Sequence, residues 1–524
     1  MNKKIQIFDS TLRDGAQAEG ISFSVSDKIK IVKALDNLGI DFVEAGNPGS
    51  NQKDLEFFKE AQDIKFNNVK LVAFGSTRRM HIEAKDDANL NALIEAGTDY
   101  VCIFGKSNAF HVEKIINTTL EENLSMITDS ISYLRSKNKK VFFDCEHFFD
   151  GYKYNRDYAI ETLKTAEKAG CEALILCDTN GGIFPDELEN ILNDVKKNIN
   201  IPFGIHAHND CGMAVSLSVI AVLNGATQVQ GTFLGYGERC GNANLSSIIP
   251  NLELKKGYKV LPKGNIQMLC QTSRLVAEIS NFKLSRHLPY VGASAFAHKA
   301  GMHIDGVIKN SHSFEHVSPE SVGNERRFLI SEVAGKSTVI AKIQKIYPGL
   351  EKNDERIGKI VDTIKELEYE GYQFEGADAS FELIVHKAFN NFKSYFEIMD
   401  FKTIGEGPSE LEEYSASAII KVKVGDSIEI TAGSGDGPVD ALNEALRKAI
   451  GKFYPVLNRV TLSDYKVRIL DGKEAATAAM TRVMIESTDG EYVWSTVGVS
   501  RDIIEASFKA LIDSIEYKLL KEKL

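Results

Sequence analysis

The 524-residue chain is 43% hydrophobic and 26% charged, enough apolar material to bury large cores in two or three domains. Asp and Glu (73) outnumber Lys and Arg (62) for a formal charge of -11 with no long basic block, which excludes nucleic acid and anionic membrane as partners and favours a small molecule. Met1–Asp9 enters a strand without the apolar stretch of a signal peptide, no segment has the ~20 apolar residues of a membrane span, and the seven cysteines form no CxxC pair, so a cytoplasmic protein with buried free thiols is expected, Cys240 in a loop excepted.

Eight short β-rich runs recur along the first half: Ile5–Asp9, Asp41–Gly46, Lys70–Gly75, Tyr100–Gly105, Val141–Glu146, Ala173–Thr179, Phe203–His208 and Gln228–Gly235. Helical patterns lie between them, among them Asp27–Leu38, Leu55–Phe66, Leu120–Arg135, Tyr158–Lys168, Pro185–Val195 and Met213–Leu223, several ending in Ala-Gly or Leu-Gly. The alternation predicts an α/β fold, an N-terminal (β/α)8 TIM barrel over residues 1–285, with a doubly wound open sheet as the alternative. A barrel of this kind works at the C-terminal ends of its strands, and those ends carry the reactive residues. The first leads through Asp9, Arg13 and Asp14, the second ends at Glu44, the fifth at Glu146 and the sixth at Thr179. The seventh ends in His206-Ala207-His208-Asn209-Asp210, and the eighth leads to Gly237-Glu238-Arg239-Cys240-Gly241-Asn242.

His206 and His208, spaced i and i+2, present both imidazoles on one face of a strand, an arrangement suited to a metal. Closure of the barrel would set the eighth strand between the seventh and the first and bring Asp14 to the same place. One carboxylate and two imidazoles leave open positions on a divalent cation for substrate oxygens. Arg13 would then place a fixed positive charge over a carbonyl oxygen under attack, which suits carbon–carbon bond formation at a 2-oxo acid. Each group has a plainer reading too: core or surface histidines, a strand-end carboxylate at Glu146, a helix cap at Thr179, an ordinary ion pair at Arg13.

Residues 286–373 form a connector. It opens with the polar cluster Ala297–Gly306, whose His298 and His303 suit a plain surface, and continues as amphipathic helices with Val333, Ile340, Ile343, Ile357, Ile360, Val361 and Ile364 on apolar faces. From 374 to 524 the pattern βββα occurs twice, on the runs Tyr395–Asp400, Ala416–Val424, Ile428–Ala432, Tyr465–Leu470, Ala478–Glu486 and Tyr492–Val499. The two helix entries carry Gly435, Gly437 and Asp440, and Gly498 and Asp502, with Asp440 aligned on Asp502. Such entries cap a helix or bind an anion, and capping is the simpler reading.

Asp9-Ser10-Thr11-Leu12-Arg13-Asp14-Gly15-Ala16-Gln17, His206–Asp210, Gly237–Asn242 and Gly301-Met302-His303-Ile304-Asp305-Gly306, in this order, resemble the signatures of the 2-isopropylmalate, homocitrate and citramalate synthases, metal-dependent barrels that perform Claisen condensations. The resemblance spans the whole chain. It implies that a divalent metal (Mn, Mg, Zn or Co) is held by Asp14, His206 and His208 with Asn242 in or next to its shell. It further implies that Arg13 and Glu44 serve the 2-oxo acid, that Thr179 holds the acid's carboxylate, and that Glu146, Glu238 and His303 share the deprotonation of acetyl-CoA. The duplicated module would be a regulatory and dimerisation domain with Gly435, Gly437, Asp440, Gly498 and Asp502 at an amino-acid site, in a homodimer.

Gly20–Ser24, Pro48–Asn51, Asp178–Gly182 and Val322–Arg327 look most like the citramalate-synthase branch, although Asn47 stands where that branch usually has an aromatic and Gln52 where it has Pro. This branch implies pyruvate as acceptor, with 2-oxoisovalerate the alternative, and isoleucine as effector, with leucine second. Barrel lyases of the same superfamily lack the C-terminal module, and an amino-acid sensor on a dead barrel would need a missing ligand.

Overall fold

The computed structural model describes residues 3–328, 336–350, 354–374, 376–389, 392–405, 416–470 and 479–522. Two compact units are present: residues 1–296 with 316–326, and residues 297–315 with 327–524. Among the described residues no helix is long and apolar enough to cross a membrane.

In the first unit the strands β1 (Gln6–Asp9), β2 (Phe42–Glu44), β3 (Lys70–Ser76), β4 (Tyr100–Lys106), β5 (Lys140–Glu146), β6 (Ala173–Asp178), β7 (Phe203–Ala207) and β8 (Gln228–Gly231) form a closed barrel in sequence order. Neighbours pair in parallel, and β8 meets β7 on one side and β1 on the other. Side chains of a strand alternate between faces, and the packing separates accordingly. Ile7, Val43, Val101, Ile103, Phe143, Leu174 and Val229 join the large core shared with the helices. Phe8, Phe42, Val72, Cys102, Phe142 and Ile175 instead pack on each other in a separate cluster. There Phe42 meets Tyr100 and Phe142 edge-on, each at 5.1 Å between ring centroids, a geometry aromatic pairs prefer. Two residues further along these strands the same face turns polar, at Ser10, Glu44 and Asp144.

The helices flanking the barrel start where local capping dictates. Ser24 and Asp27 form a reciprocal capping box, so the first helix is Val25–Leu38. Asn51 accepts from the Lys53 N–H and starts the second at Gln52, three residues before the expected Leu55; it ends at Ala61, before the expected Phe66. Short helices at Ala88–Glu95, Ala109–Lys114 and Phe148–Tyr154 lack the length for a clear apolar period and were not expected. The last strand stops at Gly231, short of Gly235, because the chain turns sharply at Leu234 (φ 62°) to bring residues 242–244 back along the barrel.

The second unit begins with β9 (Ala297–His298), paired in parallel with β10 (Arg327–Phe328), and holds helices Gly301–Lys309, Lys336–Ile346, Glu355–Tyr369 and Asp378–Ala388. Ile340, Ile343, Ile357, Ile360, Val361 and Ile364 are buried together with Phe374 and Phe381, as their helical spacing predicts; Val333 lies outside the described residues. The helix Asp378–Ala388 precedes the first expected β-rich run, Tyr395–Asp400, and was not anticipated.

Two antiparallel sheets follow: β11 (Glu397–Gly405), β12 (Ala416–Val424) and β13 (Ser427–Gly435) with helix Pro438–Ile450, then β14 (Thr461–Ile469), β15 (Thr481–Thr488) and β16 (Val493–Ser500) with helix Ile503–Lys521. The duplication is real but its register differs from the expected one. Thr431 donates to the Ala445 carbonyl as Thr496 does to that of Ala510, both at 2.7 Å. A Cβ on Gly433 would strike Ala441 and Ala445, and one on Gly498 would strike Ala506 and Ala510. This equivalence sets Asp440 opposite Glu505 and Gly437 opposite Asp502, so Asp440 and Asp502 are not counterparts.

The aromatic cluster inside the barrel carries a direct expectation. Phe42→Ala should cost about 3–5 kcal/mol, read as a lower urea midpoint with an unchanged slope; an unchanged midpoint would show that the cluster is dispensable to the barrel.

Candidate active site

The tight turn after β1 is built from its own polar groups. The Thr11 N–H and hydroxyl donate to Asp9, the Arg13 and Gly15 N–H groups donate to the Ser10 carbonyl, and the Asp14 N–H donates to Ser10 Oγ. The turn aims Asp14 at the end of β7. Asp14 Oδ2 lies 3.2 Å from His206 Nε2 and 3.8 Å from His208 Nε2, and the two Nε2 atoms are 3.4 Å apart. All three side chains are buried and offer one ligand atom each within 4.8 Å of one another.

Asn242 reaches this cluster through the return of the chain after β8. It pairs antiparallel with His208, while the Asn209 N–H donates to the Gly241 carbonyl and the Ala243 N–H to that of Ala207. The loop tolerates only glycine at two points. A Cβ on Gly237 (φ 153°) would lie 2.7 Å from the Asn242 amide, and one on Gly241 (φ 85°) 2.0 Å from the Gly235 oxygen. Asn242 is only 2% exposed, and neither its Oδ1 nor its Nδ2 has a hydrogen-bond partner. A buried amide without partners is costly. Beside a carboxylate and two imidazoles, that orphaned amide fits the shell of a cation, and this donor set suits a divalent ion with open positions.

Charge is arranged around the cluster. Arg13 donates from Nε to Glu44 Oε2 at 2.7 Å, lies 3.4 Å from Asp14 Oδ1, and stacks its guanidinium 3.7 Å over the Phe74 ring. Burial alone would lower its pKa, but Asp14, Glu44 and Asp144 hold it above the ordinary value, a permanent cation. Burial alone would likewise raise Asp14, yet Arg13 and His206 keep that carboxyl well below the usual range. Burial and then the neighbouring His206 push His208 down to about 4, so it is neutral at physiological pH, as a ligand must be. Burial also works against a proton on His206, but the bond and charge of Asp14 hold it above its usual value.

Sequence reasoning thus named a set that the fold assembles: Arg13, Asp14, Glu44, His206, His208 and Asn242. Glu44, expected to touch substrate, is fully buried and makes its described contacts with Arg13 and Ser10. Thr179 and Glu146 finish at the same end of β6 and β5. The Thr179 hydroxyl accepts from the His147 N–H at 2.9 Å, and Glu146 pairs with Lys106. Glu238 is exposed, 3.6 Å from Arg239, which itself binds Asp210 and the Thr179 carbonyl. His303 belongs to the second unit, exposed on helix Gly301–Lys309 and stacked on Phe314 at 4.2 Å. Cys211 is exposed as well as Cys240; the other five cysteines are buried.

Sequence reasoning passed over Lys106 and Gln230, the latter bonded to His206. Their signal was parity, since each lies on the alternating strand face that carries the other reactive groups. In the duplicated module Asp440 Oδ2 accepts from the Asp436 N–H and Asp502 Oδ1 from the Ile504 N–H. Gly435 and Gly498 lie where a Cβ would strike Asp440 and Ala506 respectively.

Three family models match the chain: HMGL-like over residues 4–276, homocitrate synthase post-HMGL domain-like over residues 290–371, and the LeuA allosteric (dimerisation) domain over residues 375–519. An (R)-citramalate synthase of Geobacter sulfurreducens is 49% identical over 99% of this chain and 98% of its own. One of Aquifex aeolicus is 48% identical over 100% and 99%. A 2-isopropylmalate synthase of Methanocaldococcus jannaschii is 31% identical over 99% and 96%.

The orphaned amide generates a prediction. Asn242→Ala should weaken Mn2+ binding by about 10–100-fold, the range found when groups around a metal's ligands are removed, in equilibrium dialysis of chelator-stripped protein. Affinity should also fall as pH is lowered, because protons compete for His206, whose pKa is raised. Binding indifferent to both would remove the cation from this cluster.

Proposed function

The chain belongs to the HMGL-like family of barrel enzymes, in its citramalate-synthase branch, and from that premise we propose that it condenses acetyl-CoA with pyruvate and hydrolyses the product thioester to (R)-citramalate and CoA. The observation that carries the reading is the buried cluster of Asp14, His206 and His208 with the unpartnered Asn242 amide, at the mouth of a barrel in a chain 43–49% identical to citramalate synthases over its full length.

A divalent cation (Mn, Mg, Zn or Co) held by Asp14, His206 and His208, with Asn242 beside it, would supply Lewis acidity to the carbonyl of the 2-oxo acid. Arg13, fixed by Glu44 and Phe74, sets a permanent positive charge where that oxygen gains negative charge. The Thr179 hydroxyl already accepts from the His147 N–H, so its own proton is free to donate to the substrate carboxylate. A thioester methyl is weakly acidic, and its proton passes to a base shared among Glu146, Glu238 and His303. The carbon so exposed bonds to C2 of pyruvate, whose oxygen becomes the tertiary hydroxyl, and water then cleaves the thioester to free CoA. Lys106 holds the Glu146 carboxylate at the rim.

The C-terminal module is read as the site of dimerisation and of end-product inhibition by isoleucine, with leucine second, in a cytoplasmic homodimer. Support comes from the match to the LeuA allosteric (dimerisation) domain and from sheet faces that carry exposed Ile419, Ile428, Ile430, Val467, Ile469 and Val493.

Two experiments test this reading. Release of CoA thiol with a panel of 2-oxo acids should be most efficient with pyruvate and weaker with 2-oxobutanoate, since one methylene discriminates by about 1–3 kcal/mol; greater efficiency with 2-oxoisovalerate would move the enzyme to the isopropylmalate branch. In the second, Asp440→Asn and Asp502→Asn keep the helix-entry hydrogen bonds but remove the negative charge available to an amino acid's ammonium group. Charge-assisted bonds contribute about 1.5–3 kcal/mol, so the isoleucine concentration for half-inhibition should rise roughly tenfold or more. An unchanged inhibition curve would leave this domain a dimerisation module only.

A further inference from the structure

Beneath the metal cluster, the barrel interior holds a line of buried polar side chains that the proposed chemistry leaves unused. Gln230 on β8 is the register partner of His206 on the adjacent β7. Its Oε1 lies 3.0 Å from His206 Nδ1, and its Nε2 donates to Asp144 Oδ1 on β5 at 3.2 Å. Both residues are buried, Gln230 at 1% and Asp144 at 4% exposure. Asp144 also takes the Cys102 thiol as a donor; burial and Glu44 push its pKa up to about 6, while His206 and Arg13 work the other way.

A carboxylate only accepts, so the amide of Gln230 must turn its NH2 toward Asp144 and its oxygen toward His206. An amide oxygen facing Nδ1 requires a proton on that nitrogen, and a neutral imidazole then carries its lone pair on Nε2, the atom that faces Asp14 and His208. His208 has no such arrangement, for its Nδ1 is buried without a partner. We propose that Gln230, oriented by Asp144, is a positioning residue that locks His206 in its Nδ1–H tautomer and so presents Nε2 to a divalent cation. The carboxylate that commonly orients a metal-binding histidine directly here acts through an interposed amide. This inference rests on the metal reading of the site.

The test uses full-length, chelator-stripped protein titrated with Mn2+, the free ion being read by its paramagnetic resonance signal. Gln230→Leu removes the acceptor, and Asp144→Asn lets the amide of Gln230 turn round; each should weaken Mn2+ binding about 10–100-fold. Because Asp144 acts through Gln230, the double variant should bind no more weakly than Gln230→Leu alone. In metal-free protein at alkaline pH, 15N shifts should show His206 as one tautomer in the wild type and as a mixture in Gln230→Leu. Wild-type affinity with a single tautomer in Gln230→Leu would overturn the inference, as would an Asp144→Asn effect that persists in full without Gln230. Should Gln230→Leu fail to fold, the nearly isosteric Asp144→Asn carries the same expectations for affinity and tautomer. A wild type that takes up no Mn2+, or a His208→Ala protein that binds it undiminished, would instead overturn the metal assignment and this inference together.

Discussion

A closed sheet has no edge, so the eighth strand must satisfy its backbone on both sides, against β7 and against β1. That requirement brings Asp14 to His206 and His208 across nearly two hundred residues of chain. It also decides where the segment after β8 can go: the chain turns at Leu234 and lays Asn242 alongside His208. Sequence separation is therefore no obstacle to this cluster, because the neighbours were fixed when the barrel closed. The alternation of side chains then sorts each strand, with aromatic rings at one depth and Glu44, Asp144, His206 and Gln230 beyond them.

Bringing Asp14, Arg13 and Glu44 out of water costs free energy that their mutual attraction must offset. Each charge has a partner in the structure: Glu44 takes Arg13 and Ser10, Arg13 faces Asp14, and Asp14 faces His206. The Asn242 amide breaks this satisfaction at both of its polar atoms. A buried amide with both of its polar atoms open beside two imidazoles leaves room for something that binds oxygen and nitrogen. The loop glycines at 237 and 241 show what holding that amide in place demands of the backbone.

Much of this was legible in the residues alone. The barrel strands are buried on both faces and read as continuous apolar runs, and their C-terminal ends carry the Asp, His and Asn that the closed sheet assembles. Short helices such as Ala109–Lys114 were not legible, because six residues hold less than two turns of apolar period. The register of the duplication went astray for a related reason. Matching Asp440 to Asp502 compared a first-turn residue with an N-cap, two positions that favour the same side chain for different purposes. Only the threonine and glycine contacts between strand and helix reveal the true equivalence. Lys106 and Gln230 stayed hidden because one polar residue in an apolar strand does not announce its partner.

The two exposed thiols have a practical consequence at the bench. Cys240 stands two residues before Asn242, and Cys211 three after His208, on the two segments joined by the Asn209–Gly241 backbone bond and the Arg239–Asp210 ion pair. A disulfide reagent that colours released CoA also meets these sulfurs, and a bulky adduct there would sit on the loops that hold Asn242 and His208. A continuous colorimetric trace would then mix product with enzyme and decay as it was recorded. Aliquots quenched before the reagent is added, or protein with serine at both positions, keep the reporter and the reaction apart.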